Sequence, residues 1–148
     1  MIAPATYVDN TDAAVDAWAR QIGLQLAEAH GLRMVSAIRE SLDPGPGPRT
    51  GKQYRIPGTK ARYTASAPGE HPAVREGVLR DSFQLIPAHV DGDMIRSGAA
   101  SALTTEDGEH HIAAILNNGT DDGRVAPRPF IDFAMEQVAQ ELNGEVQR

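Results

Sequence analysis

His110-His111 is the one adjacent histidine pair in the chain, and its spacing is wrong for holding a metal ion. Neighbouring residues on a helix point about 100° apart, whereas an i, i+4 pair shares a face and can chelate. With no cysteine and no third ligand close in sequence, neither a metal nor a cofactor is expected. The stretch from Gly45 to Gly51-Lys52 resembles a phosphate-binding loop, but it is one residue too long. Gln53 stands where a Mg²⁺-binding hydroxyl belongs, and the prolines remove N–H groups that should cradle phosphate. Ser66, Ser82 and Ser97 lack a nucleophile elbow or any other local sign of activation. Asp91-Gly92-Asp93 and Asp121-Asp122-Gly123 miss the calcium-loop pattern and read as turns. Arg80 and Arg128 are the most rigidly framed charges, and both read as structural ion-pair partners or snorkelling surface residues. No catalytic set emerges, and a protein that is not an enzyme is expected.

A different kind of chemistry is written between Pro44 and Gly69. Arg49, Lys52, Arg55, Lys60 and Arg62 fall in this interval, and no acid does, in a chain of net charge −6. Tyr54 and Ile56 alternate with polar neighbours, as do Ala61 and Tyr63, around Ile56-Pro57-Gly58-Thr59, which suits a type II turn. A basic β-hairpin over 49–65 is therefore predicted. It is either a solvated protrusion or a docking element for an acidic neighbour or for nucleic-acid phosphate, with Tyr54 and Tyr63 as stacking platforms.

The elements that must carry this hairpin follow from periodicity. A first helix over 9–42 starts in the cap cluster Asp9-Asn10-Thr11-Asp12. Val15, Trp18, Ala19, Ile22, Leu26 and Ala29 form one apolar stripe, while Val35, Ile38 and Leu42 lie on nearly the opposite face. Either Gly31 breaks or kinks the helix, or one long helix faces two partners along its length. Asp43-Pro44-Gly45-Pro46-Gly47-Pro48 is a stiff connector, and Ala73 to Arg80 is expected to hold a helical turn. A sheet over 82–104 follows, with either a bulge or a strand covered on both faces at Leu85-Ile86, and a two-residue turn at Asp91-Gly92. A short helix is predicted over 109–117. A last helix over 129–142 should bury Phe130, Phe133, Ala134, Val138 and Leu142 and stop at Gly144. The sum is one α+β domain over 1–148: an antiparallel sheet with a protruding hairpin, packed by a long N-terminal helix and a C-terminal helix.

Bulk properties narrow the class. At 148 residues the chain can bury roughly 70% of its unfolded surface. Its acidity argues against a general nucleic-acid-binding surface. The absence of cysteine, of a signal peptide and of an apolar run near ~18 residues leads to the expectation of a soluble protein that stays in the cell making it.

Two segments carry a resemblance. The first is Gly77-Val78-Leu79-Arg80-Asp81-Ser82-Phe83; the second runs Ala113-Ala114-Ile115-Leu116-Asn117-Asn118-Gly119-Thr120 and continues, past a polar loop, to Pro127-Arg128-Pro129-Phe130. In order and spacing these are similar to the tail-completion proteins of long-tailed phages, the neck proteins that join head to tail. That family reads roughly T-G-x-L-R-x-S-[IV], A-x-x-[VL]-E-x-G-T and P-R-P-F, so Asn117 stands where an acid is usual. The resemblance implies a structural virion protein of the neck, formed in the host cytoplasm and working as a ring, usually a hexamer. Its implied partners are copies of itself, connector or head-closure proteins, and tail-tube or tail-terminator proteins, with DNA passing through the lumen unbound. Gly77, Leu79, Arg80, Ser82, Gly119, Thr120, Pro127, Arg128, Pro129 and Phe130 are the motif residues; the five basic residues of the hairpin are the candidate docking set.

Overall fold

A computed structural model describes residues 11–43, 49–72 and 77–146. The expected Pro/Gly connector, Asp9 and Asn10 of the cap cluster, and the first residues of the helical turn starting at Ala73 lie outside them. The fold is α+β: helix α1 Thr11–Ser41, strands β1 Gln53–Arg55 and β2 Arg62–Thr64, helix α2 Val78–Ser82, strands β3 Phe83–Asp91 and β4 Met94–Ser101, and helices α3 Ile112–Asn118 and α4 Phe130–Val146. The strands form two separate antiparallel pairs, β1 with β2 and β3 with β4.

α1 is one uninterrupted helix of 31 residues, so Gly31 does not break it. The glycine is there because the helix lies against the sheet. A Cβ on Gly31 would sit 2.3 Å from Ser97 Oγ, 2.7 Å from Leu85 Cδ1 and 3.2 Å from the Gly98 amide nitrogen. One on Gly23 would meet Ile95 at 2.5 Å. With Ala27 between them, these positions make a narrow, small-residue track on which β4 rests. β4 meets this track through Ile95, Ser97 and the backbone of Gly98.

The core lies beyond this crossing, at the C-terminal end of α1. Ala37, Ile38 and Leu42 pack there with Phe83, Ala113, Phe130, Ala134 and Val138. Phe83 meets Phe130 edge to face at 6.1 Å, a favoured aromatic arrangement. Phe133, expected inside, is 37% exposed and lies 4.8 Å from the ring of His71 instead.

Local chemistry explains the remaining boundaries. Ile86 pairs with Gly98 and His89 with Arg96, so β3 carries one residue more than β4 between those pairs. This bulge accommodates Pro87, which has no N–H to give a ladder. Asp91 pairs with Met94, which makes Gly92-Asp93 the turn rather than Asp91-Gly92. Gly92 takes φ 60° and Asp93 needs no positive φ, the pattern of a II′ hairpin. α3 starts at Ile112 and not at 109, because Thr104 bridges His111 and the chain between them is a tight polar turn. α4 runs through Gly144 to Val146; nothing near that glycine forces a stop.

Candidate functional site

The hairpin is as its sequence predicted. Gln53, Tyr54 and Arg55 pair with Thr64, Tyr63 and Arg62. The Thr59 amide donates to the Ile56 carbonyl at 3.1 Å, and Gly58 has φ 77°, closing the type II turn. Tyr54 and Tyr63 stack with ring centroids 5.8 Å apart on one face. Arg55 and Arg62 are directly opposite each other on the other face. Like charges so placed destabilise a strand pair, so folding gives no reason for them. Arg55 Nε donates to the Thr59 carbonyl at 2.8 Å. No salt bridge among the described residues involves Arg49, Lys52, Arg55, Lys60 or Arg62. β1 and β2 pack on each other and make no extensive contact with another helix or strand. The result is a protruding ribbon with an aromatic face and an unneutralised cationic face.

Its base is held tightly. Gly51 N donates to the Ala65 carbonyl at 3.0 Å, and a side chain on Gly51 would strike that oxygen. The Glu70 carboxylate accepts from the Thr50 hydroxyl at 2.5 Å, the Ala67 amide at 2.7 Å and the Thr50 amide at 3.1 Å. These donors, the Thr50 hydroxyl foremost, hold the Glu70 carboxyl below the usual glutamate range.

The motif residues converge on that base and on the core, and they do not line a cleft together. Arg128 donates from Nε to Ser66 Oγ at 2.7 Å, from Nη2 to the Ser66 carbonyl at 3.1 Å, and from Nη1 to the Ala126 carbonyl at 3.0 Å. It thus clamps the residue that follows the last pair of the hairpin base, while Pro127 accepts from the Gly69 amide at 3.0 Å. Its role is structural, through hydrogen bonds rather than an ion pair. Pro129 accepts the first helical bond, from the Phe133 amide, and so caps α4 where the first helical position was expected. Phe130 is fully buried.

Gly119, at φ 76°, ends α3 with its Cα against the Val125 carbonyl, where any Cβ would come within 2.7 Å. Thr120 Oγ1 donates to Asp122 at 2.6 Å and accepts from the Val125 amide at 3.0 Å, closing the loop that delivers Pro127. In the first segment Gly77 enters α2 at φ 76° and Leu79 packs on the core. Arg80 bonds Asp43 at 2.7 Å, which ties α2 to the end of α1, and its neighbour Asp81 at 2.8 Å. Ser82 donates to the Leu79 carbonyl and meets Ser101 Oγ at 2.7 Å, joining the start of β3 to the end of β4.

Two structural residues escaped the sequence reading. Asn117, buried on α3, accepts from the Ile131 amide at 2.9 Å and so caps α4 from a neighbouring helix. Its position four residues after buried Ala113, on the same face, was the available signal. His71 bonds the Ser41 carbonyl at 3.0 Å beside Phe133, and nothing in its sequence neighbourhood marked it.

A second surface appears on α1. Residues 11–20 are exposed on every side of the helix, and Val15, Trp18, Ile22 and Leu26 leave one apolar stripe in solvent, Trp18 at 65%. The two stripes of the sequence thus belong to one helix, the later one in the core and the earlier one uncovered. Among the described residues no group of three or more His, Asp or Glu gathers to hold a metal, and no helix is long and apolar enough to cross a membrane. No protein-family model matches the chain, and no curated protein or solved structure matches it.

Proposed function

We propose that this protein is a non-enzymatic structural component of the neck of a long-tailed phage, a ring subunit that completes the tail or joins head to tail around the DNA channel. The observation that carries the reading is where the motif residues sit. Arg80, Ser82, Gly119, Arg128 and Phe130 are spent on building the fold and fixing the hairpin base, and the uncommitted surfaces are a cationic ribbon and an apolar helical stripe. Such surfaces suit assembly, because a ring needs two different contact faces on each subunit and neighbours above and below. The hairpin is the docking element for an acidic face of a connector, head-closure, tail-tube or tail-terminator protein. The acidic remainder keeps the lumen from retaining DNA in transit.

Purified protein added to tails that lack it should form a terminal ring visible by electron microscopy, and should restore joining to heads. Reversing Arg55, Lys60 and Arg62 to Glu should leave the fold intact and weaken joining, and ~1 M salt, with its Debye length near 3 Å, should do the same to the native protein. No affinity for tails would overturn the neck reading. The stacked Tyr54 and Tyr63 favour a second reading, a nucleic-acid-binding module. It would replace the first if the reversal abolishes DNA or RNA binding at physiological salt while joining is untouched.

A further inference from the structure

The tip of the hairpin encloses a hollow whose charged groups are all cations. The turn from Arg55 to Lys60 lines this open space of about 560 Å³. Side chains hold the turn in shape. Thr59 Oγ1 donates to the Ile56 carbonyl at 3.1 Å and accepts from the Ala61 amide at 3.2 Å, while Pro57 fixes its own φ. Arg55 Nε donates to the Thr59 carbonyl at 2.8 Å, which lays its guanidinium over the turn. The two terminal nitrogens of Arg55, the Lys60 ammonium and the amides of Gly58 and Lys60 have no hydrogen-bond or ion-pair partner among the described residues. All of these groups are donors. Nothing lies within 4 Å of where a Gly58 Cβ would stand, so the backbone there is open to close approach. Arg62, directly opposite Arg55, adds a second unpaired guanidinium beside the hollow.

We propose that the hairpin tip is a carboxylate-binding cradle, and that its ligand is a short acidic segment of the neighbouring protein. This rests on the docking reading above and names the chemistry that the docking recognises. The terminal nitrogens of Arg55 offer a fork to the two oxygens of a carboxylate, and Lys60 with the free amides supplies the remaining donors. The rest of the chain selects the source of the anion. With the five hairpin cations set aside, the net charge of −6 becomes −11. A nucleic acid laid along the ribbon would bring a long polyanion against that acidic body, whereas a short acidic segment need touch only the tip. Because the turn is already ordered, binding does not have to order it. One exposed contact of this kind is weak, and a ring of copies multiplies it.

Amide NMR during titration with a hexaglutamate peptide at low salt tests the cradle. The Gly58 and Lys60 amides should move most, and those of Gly51 and Lys52 at the hairpin base much less. Arg55→Gln and Lys60→Gln should each weaken peptide binding by about fivefold. Arg49→Gln and Lys52→Gln remove the same charge away from the tip and should weaken it by about twofold or less. Circular dichroism checks the folding of all four variants. Equal losses from tip and base variants overturn the cradle in favour of diffuse attraction, as do larger shifts at the base than at the tip. Tighter binding of an oligothymidylate of equal charge overturns it in favour of nucleic acid. A peptide that leaves Gly58 and Lys60 unmoved overturns it outright. Each of these results leaves the neck reading standing if the native protein still forms its ring on tails. A protein that binds the peptide at the tip and has no affinity for tails sinks the neck reading alone.

Discussion

Two glycines inside helices should respond in opposite directions when replaced by alanine. In a helix interior this change ordinarily stabilises by about 1 kcal/mol. At Gly144 nothing lies within 4 Å of the added carbon, so Gly144→Ala should gain up to ~1 kcal/mol, less whatever fraying near Val146 removes. At Gly31 the same carbon needs the space of Ser97 Oγ and Leu85 Cδ1. Leu85 can turn its methyl aside. Ser97 cannot move without weakening its 2.8 Å hydrogen bond to the Ile86 carbonyl, worth about 0.5–1.5 kcal/mol. The Gly98 amide is backbone and must shift bodily, an overpacking cost of about 1–3 kcal/mol. Offsetting the helical gain of ~1 kcal/mol leaves Gly31→Ala destabilising by roughly 0.5–3.5 kcal/mol. For a chain this size that lowers Tm by about 1–14 °C. Urea titration followed by circular dichroism measures both variants, and adding Ser97→Gly to Gly31→Ala should recover part of the loss. If Gly31→Ala raises stability as Gly144→Ala does, α1 does not rest on β4 as described and Gly31 has another purpose.

Phe130→Ala empties the centre of the core and should cost about 3–5 kcal/mol in the same titration; a loss under ~1 kcal/mol would place Phe130 on the surface. Asn117→Ala removes the cap of α4 and should cost about 1–2 kcal/mol in the same titration; a loss under ~0.5 kcal/mol would deny the capping role. The Glu70 carboxyl is held low in the fold, so its contribution is complete above the ordinary value of 4.5 and disappears as pH falls below it, through the folded value. The stability gap between the native protein and Glu70→Gln should therefore narrow on acidification, and a gap that is constant with pH would show that the carboxylate charge is not what holds the hairpin base.

Element types were legible from sequence where one physical signal dominated. The hairpin followed from alternation plus a Pro-Gly turn, and α4 from a stripe opened by Phe130. Glycine was the recurrent source of error, since one residue serves as breaker, turn former and spacer. Gly144 read as a stop, and Gly31 as either a break or a point inside one long helix; both lie inside helices, the first because exposed helix tolerates it and the second because another element lies against it. Which of Gly92's neighbours shared the turn depended on strand register, which only the bulge at Pro87 fixes. The burial of a stripe was likewise beyond a local pattern: Trp18 and Ile38 obey the same period, yet only one has protein against it. The cap from Asn117 crosses between helices, and no helix's own sequence displays it.

α1 is continuous in geometry but not in stability. Amides around Val35 to Ser41 are shielded by the core, so their exchange with deuterium requires the whole domain to open. Amides in the first turns have solvent on all sides, and an unsupported helix of that length is marginal in water, so they should exchange by local fraying. A single helix would then show a gradient of protection spanning nearly the full range from fraying to global unfolding. Any event that covers the Trp18 end would be read as slowed exchange there, with the other end unchanged. It would also carry an entropy cost for stiffening those turns, which sets how far such an event can be reversed by mild changes in temperature.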